Sequence, residues 1–382
     1  MGRSANRNGS KEIRLPRGFT RRNDGRLEYR FNASGRRVSV YGGSVKECYA
    51  KADQARENAK NGVKIGAAKI TFGEYVSEWL ELRAHTVIEA TIINYEMSLK
   101  RAAPYINNIR LSDLDRRDIL RVQAELSKRY ATSTTNTTIR HIRTICQSAV
   151  ADRIILFNPC ESVKPIKRKE PRITKTTHRA LTIDEQREFF RLAREKKSYY
   201  YNLFVFLIQT GCRCGEALAL SWSDIDYKNN VIHIRKTITL SRGGWAVGEL
   251  PKTEAGYRDI PMTRDIKINL TDQRDLMVFV HGIKAAKKSG RVFLQRMDPD
   301  RVQATGNIDI AIRHVVKGTN VKYFGAHAFR DTFATRAIEQ GMQPNTLKEI
   351  LGHSSITMTM DLYAQVLPNT KEDSMNSVVI SV

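Results

Sequence analysis

The chain has 382 residues, 41% of them apolar and 27% charged, and its 64 lysines and arginines outnumber 40 aspartates and glutamates for a net charge of +24. That much apolar material excludes a wholly disordered chain, and the longest unbroken apolar run, Leu203–Ile208, falls far short of the roughly 20 residues of a membrane helix. The opening MGRSANRNGS has no signal-peptide core, and five cysteines (Cys48, Cys146, Cys160, Cys212, Cys214) make no disulfide framework. The expectation is a soluble, intracellular protein of a reducing compartment with no membrane partner.

Residues 1–60 hold 15 basic and 6 acidic residues, so most of the excess charge lies beyond them. Positive charge spread along a chain suits a long polyanion touched at many places, with nucleic acid first and an anionic membrane second. Solubility alone is the plainer alternative.

Residues 12–60 read as a small α+β module. Leu27, Tyr29 and Phe31 alternate with Glu28 and Arg30, and Val38 and Val40 alternate with Arg37, Ser39 and Tyr41, which is the period of a strand. Asn23-Asp24-Gly25 and Ser34-Gly35 supply turns, and Ser44 through Asn61 reads as a helix capped by Ser44 and stopped by Gly62. One sheet face is apolar; the other presents arginines (Arg22, Arg30, Arg37), a surface suited to a DNA groove.

Residues 70–163 read as wholly helical, with apolar stripes at Phe72, Tyr75, Val76, Trp79, Leu80 and Leu82, at Ile92, Tyr95, Met97 and Leu99, at Ile119, Val122 and Leu126, and at Ile139, Ile142, Ile145 and Ala149. Asn158-Pro159 ends the region. The next stretch, 164–177 (KPIKRKEPRITKTT), has two prolines, six basic residues and one acid, so it is a linker, with Lys167, Arg168 and Lys169 suited to lie along phosphates.

From His178 the pattern is α-rich with a strand insertion. Thr182-Ile183-Asp184-Glu185 is a capping box, Tyr199–Gln209 a core helix, and Val231–Ile238 and Gly256–Met262 are strands with Lys252 on the turn-rich piece between them. There is no P-loop and no GxGxxG after a strand, and Cys212-Arg213-Cys214 is too close a pair for a zinc site. Neither cofactor nor metal is expected. Arg213 follows a buried helix with Glu216 three residues on, His327 and Arg330 share a helix face at i, i+3, and Gly352 ends a short helix before His353. A further helix, capped by Ser355, carries Tyr363. Taken singly, such a histidine is ordinarily a satisfied core residue, such an Arg–Glu pair a salt bridge, and such a tyrosine packing.

The order of these pieces resembles the tyrosine recombinases, or phage-type integrases, over about residues 70–366. TGCRCGEALALSWSDID is similar to the family's first arginine box, PKTEAGYRDIPM to its lysine hairpin, HAFRDTFAT to its H-x-x-R box, and LGHSSITMTMDLYAQ to the stretch holding its second histidine and nucleophilic tyrosine. Asp331 departs from the pattern, since members commonly carry a histidine there. Residues 12–60 are similar to the three-stranded arm-binding domains of integrases from conjugative transposons and some phages.

The resemblance implies a multi-domain, mainly α fold with small β parts: an arm-type DNA-binding domain at 1–62 built from a three-stranded sheet and a helix, a helical core-binding domain at 68–163, a basic linker at 164–177, and a mixed α/β catalytic domain at 178–382 with a C-terminal tail. It implies that Tyr363 is the nucleophile, that Arg213, Arg330 and His353 bind the phosphate, that Lys252 is the general acid, that His327 handles the tyrosine proton, and that Glu216 is the supporting acid. The implied activity is integration and excision of a mobile element through a 3′-phosphotyrosyl intermediate and a Holliday junction, without NTP or metal. The implied partners are double-stranded DNA at core and arm sites and further copies of the chain in dimers and tetramers, with room for accessory excision and DNA-bending proteins in a bacterial cytoplasm. A type IB topoisomerase would use similar chemistry, and a non-enzymatic DNA-binding regulator could keep the fold. The aliphatic end, Ser377–Val382, reads as a strand that docks on its own domain or, as the resemblance favours, on a neighbouring protomer.

Overall fold

The computed structural model describes residues 15–33, 36–60, 69–167, 179–249 and 256–366. The chain divides into two compact units, Met1–Lys169 and Glu170–Val382.

In the first unit, β1 (Phe19–Arg21), β2 (Leu27–Ala33) and β3 (Arg36–Gly42) form an antiparallel sheet in chain order, followed by α1 (Val45–Lys60). Gly25 takes a positive φ of 80° at the β1–β2 turn, where Asp24 accepts from the Arg26 backbone and guanidinium. Ser44 accepts from the Glu47 amide and starts α1. Phe31 and Ala33 pack on Ala52 of α1, and the period-two pattern leaves Arg30, Arg37 and neighbouring Arg22 exposed. β1 completes the three-stranded sheet that the resemblance implies; at three residues it is too short to show a period of its own, although Phe19 stacks on Tyr29 with ring centroids 4.4 Å apart.

The same unit continues with α2 (Phe72–Ala84), α3 (Glu89–Ile106), α4 (Arg116–Arg129) and α5 (Thr132–Ala151). Thr71–Glu74 and Asp115–Asp118 capping boxes open α2 and α4. The core gathers Phe72, Trp79, Ile106, Ile119, Leu126, Ile142 and Ile145. Leu82 and Met97, assigned above to apolar stripes, are instead 68% and 48% exposed, because both sit at the rim of their helix faces. The expectation of helix as far as 163 also fails: residues 152–163 are turns, organised by Asn158, which donates to the Arg143 carbonyl and accepts from the Cys160 amide. The start of the linker is held by side chains. Gln123 donates to the Lys164 carbonyl, and the Asn136 amide bonds both the N–H and the C=O of Ile166. Lys167 is exposed; Arg168 and Lys169 lie outside the described residues.

The second unit opens with α6 (Ile183–Glu195), α7 (Tyr201–Thr210) and α8 (Cys214–Ala219). The Thr182–Glu185 capping box is formed. β4 (Ile225–Asp226), β5 (Val231–Ile234) and β8 (Arg258–Pro261) make one antiparallel sheet, and β6 (Lys236–Ser241) and β7 (Gly244–Glu249) a two-stranded ribbon. The single strand expected over Val231–Ile238 is therefore two. It breaks at Arg235, whose guanidinium reaches the Arg258 carbonyl and the Asp259 carboxylate while the chain leaves the sheet for the ribbon. Then come α9 (Arg264–Ser289), α10 (Thr305–Val316), α11 (His327–Glu339), α12 (Pro344–Leu351) and α13 (Ile356–Val366). Phe189, Phe204, Phe324 and Phe329 interlock edge-to-face or stacked at the centre of the core, with centroids 5.0–5.6 Å apart. Cys212 is buried in this core and Cys214 half-buried. No helix among the described residues is long and apolar enough to cross a membrane. The tail expected to form a strand, 377–382, lies outside the described residues.

Candidate active site

Two glycine turns build the site. α7 ends on Gly211 at φ 64°, a left-handed conformation that favours glycine. A Cβ there would lie 2.5 Å from Phe333 Cδ1 and 2.9 Å from Leu351 Cδ2, so the position has no room for one. α12 ends the same way on Gly352 at φ 68°. The Gly211 carbonyl accepts from Arg330 Nη1 at 2.9 Å, and the Gly352 carbonyl accepts from Arg213 Nη2 at 3.2 Å. Each glycine thus fixes one arginine.

Arg213 caps α8, and its amide and Nη1 both donate to Glu216. The Glu216 side chain is fully buried and also accepts two bonds from Arg258, at 3.1 and 2.6 Å. Burial alone would raise this carboxyl, but Arg258 and Arg213 outweigh it and hold it below its usual range. Arg330 is buried, and its Nη2 has no protein partner among the described residues. Burial, reinforced by the charge of Arg213, lowers its guanidinium to about 10.

His353 follows Gly352. Its Nδ1 is 2.9 Å from Thr359 Oγ1, itself completely buried. Burial first, then the charges of Arg330 and Arg213, push the imidazole down to about 4, so it is neutral at pH 7. The tautomer sets the direction of that bond; the form in which the Thr359 hydroxyl donates to Nδ1 carries its proton on Nε2, where it can meet a ligand. His327 stands at the first turn of α11 with its side chain 43% exposed, and Nε2 lies 3.5 Å from Asp331 Oδ1. The carboxylate at the position that departs from the resemblance therefore faces the histidine one turn earlier.

The structure brings Arg213, Glu216, Arg330 and His353 into one cluster. It does not put the Tyr363 hydroxyl there: the hydroxyl donates to the Met342 carbonyl between α11 and α12, and the side chain packs on the small cluster of Ala334, Ala337, Ile338, Leu347 and Leu351. Partial burial raises its phenol above the ordinary value. Lys252 lies outside the described residues. Sequence reading missed two members, Arg258 and Thr359. Arg258 had a signal: it shares the inward phase of β8 with Ile260, an unusual place for a guanidinium.

Two other basic surfaces belong to the first unit. On the open face of its sheet, buried Glu28 pairs with both Arg22 and Arg30, while Arg37 is exposed. Between α3 and α5 lies a groove of about 470 Å³ lined by Asn94, Met97, Ser98, Arg101, Ser133, Thr134, Thr137, Arg140 and His141, with no acidic residue. His141 Nδ1 is buried there without a hydrogen-bond partner among the described residues.

Comparison with known proteins places this cluster in a family. Residues 179–370 match the phage integrase family, and residues 71–127 match the phage integrase N-terminal SAM-like domain. The chain belongs to the phage integrase family. It is a tyrosine recombinase, an enzyme of site-specific DNA integration. A XerC-like tyrosine recombinase of Caldanaerobacter subterraneus is 25% identical over 366 residues, covering 90% of this chain and 91% of its own. The ICEBs1 integrase of Bacillus subtilis is 26% identical, covering 63% and 65%. Among solved structures, the Tn1549 transposon integrase in complex with transposon right-end DNA superposes with a TM-score of 0.66 at 21% identity, over 81% of this chain and 99% of its own. A lambda integrase tetramer bound to a Holliday junction gives 0.58 at 18%, over 90% and 97%. These likenesses define the fold, which is mostly helical with small sheets.

Proposed function

We propose that the second unit cleaves and rejoins DNA strands through Tyr363 to integrate and excise a mobile element. The observation that carries this reading is the buried Nη2 of Arg330, without a partner among the described residues, beside Arg213 and a neutral His353. A phosphodiester fits them. Arg213 and Arg330 offer charged donors to the non-bridging oxygens, and His353 Nε2 adds a neutral one. The Tyr363 oxygen attacks phosphorus after leaving the Met342 carbonyl, and His327, with Asp331 behind it, takes the phenolic proton. The bond from phosphorus to the 5′ oxygen breaks, and Lys252 protonates that oxygen. The product is a 3′-phosphotyrosyl enzyme and a free 5′ hydroxyl. The covalent link retains the energy of the broken bond, so rejoining needs no NTP. A second exchange of strands gives the Holliday junction and then recombinants.

Binding is assigned to surfaces of both units. Arg22, Arg30 and Arg37 would face an arm site, the α3–α5 groove with Arg101 and Arg140 a core site, and Lys167, Arg168 and Lys169 the backbone along the linker. The domain limits remain those read from the sequence: 1–62, 68–163, 164–177 and 178–382. Relatives are named for DNA-bound dimers and a tetramer on a Holliday junction; the same assemblies are proposed here, in a bacterial cytoplasm, with excision and DNA-bending factors as accessory partners. A duplex nicked beside the cleavage point traps the covalent adduct. Tyr363→Phe should bind that duplex within a few-fold of the unaltered protein and form no adduct. An adduct in this variant would move the nucleophile elsewhere.

A further inference from the structure

We propose that Arg258 is a positioning residue for the phosphate site, acting on Arg213 through Glu216 and on His353 through the end of α12. This rests on the reading of Arg213 as a phosphate ligand. Arg258 is 7% exposed, and each of its guanidinium nitrogens has a protein partner: Nη1 and Nη2 bind the two oxygens of Glu216, and Nε binds the Ile350 carbonyl at 2.6 Å. Arg330 differs, keeping Nη2 without a partner among the described residues. Every Arg258 nitrogen is held by a protein group, so its effect passes through its neighbours.

Charge explains why a second arginine is needed. Glu216 orients Arg213 with two bonds, but a carboxylate paired to Arg213 alone would cancel the charge meant for the phosphate. Arg258 makes the cluster Arg–Glu–Arg, with one net positive charge, so the acid can hold Arg213 in place while the site still attracts an anion. The same guanidinium pins Ile350, two residues before the Gly352 carbonyl that accepts from Arg213 and three before His353. One side chain therefore sets two phosphate donors. It lies on β8, six residues after Lys252 in the sequence.

The test uses Arg258→Gln, Arg258→Lys and Arg213→Gln in the full chain on the nicked duplex. It measures DNA affinity, final adduct yield and the adduct rate constant, with a phosphodiester and with a neutral methylphosphonate at the cleavage point. Both Arg258 variants should lose about 100-fold in rate constant, the scale of a misplaced donor, with affinity within about 3-fold. The final yield should be unchanged. Methylphosphonate carries less charge to neutralise, so it should narrow the gap to the unaltered protein. Lysine keeps the charge but cannot bind Glu216 and Ile350 together, so it tests geometry even if glutamine fails to fold. A lower yield with an unchanged rate constant would make Arg258 merely structural and overturn the proposal. Slow cleavage by Arg213→Gln with normal rates for Arg258→Lys would overturn it alone, whereas normal cleavage by Arg213→Gln would overturn the phosphate reading beneath it.

Discussion

Gly211→Ala is a one-carbon perturbation whose cost follows from local geometry. A left-handed φ of 64° costs a residue with a Cβ about 1 kcal/mol. The new carbon would overlap Phe333 Cδ1 at 2.5 Å and Leu351 Cδ2 at 2.9 Å, and overpacking of this kind costs roughly 1–3 kcal/mol. Together these give about 3 kcal/mol, or a melting point lower by roughly 6–12 °C for a unit of this size. The overlap also reaches the site, because the Gly211 carbonyl holds Arg330 and Phe333 lies one turn along α11 from it. Thermal unfolding of the variant, followed by single-turnover cleavage well below its melting point, should show both losses. Gly306→Ala, where an added Cβ meets nothing within 4 Å, is the matched control and should leave both nearly unchanged. A Gly211→Ala protein melting within about 2 °C of the parent and cleaving at its rate would refute the claim that this turn is closed to a side chain.

Acid stability offers a second test. The folded His353 pKa of about 4 lies below its ordinary 6.5, so between those values the unfolded chain takes a proton that the folded one refuses. Up to about 3 kcal/mol is lost as pH falls through that window, and His353→Gln should flatten that part of a melting-point profile; an unchanged slope would contradict the burial described. Arg213→Lys should bind DNA but cleave at least about 10-fold more slowly, since one ammonium cannot bond Glu216, Gly352 and a phosphate as a fork does; single-turnover kinetics check this. Removing residues 1–62 should preserve adduct formation at a core site while making the salt dependence of DNA affinity shallower, because fewer phosphates are neutralised. Failure to cleave any core site would attach the N-terminal module to the catalytic machinery.

What the sequence displayed most clearly was local. The Thr182–Glu185 box, the Arg213–Glu216 pair and the glycine stop at Gly352 each involve residues within four of one another, so the pattern and the structure are nearly the same object. The partners of Arg258 were illegible because they are 42 and 92 residues away, and no period relates them to it. The ribbon partner β7 escaped notice for another reason: Trp245 and Val247 are more than a third exposed, so its alternation separates two half-wet faces rather than core from solvent. Leu82 and Met97 show the opposite error, since helical periodicity locates a face without locating its edge. Tyr363 was placed on the right helix, but its hydroxyl partner depends on how α11, α12 and α13 pack.

Arg213 and Arg330 are held by peptide carbonyls at the C-terminal ends of two helices, where the backbone dipoles collect negative partial charge. A carbonyl restrains a guanidinium without discharging it. Two cations that would otherwise repel each other can therefore wait side by side, already aimed, with most of the work of bringing them together done by folding. In the proposed role as phosphate ligands, little solvent or side-chain rearrangement would be left for the moment when a phosphate arrives, which is how a fixed polar environment lowers a barrier that mobile water cannot. The same readiness makes the pair indifferent to what the anion belongs to. Inorganic phosphate or sulfate at high concentration should compete for it, and selectivity for DNA must come from the surfaces that deliver the duplex rather than from the two arginines.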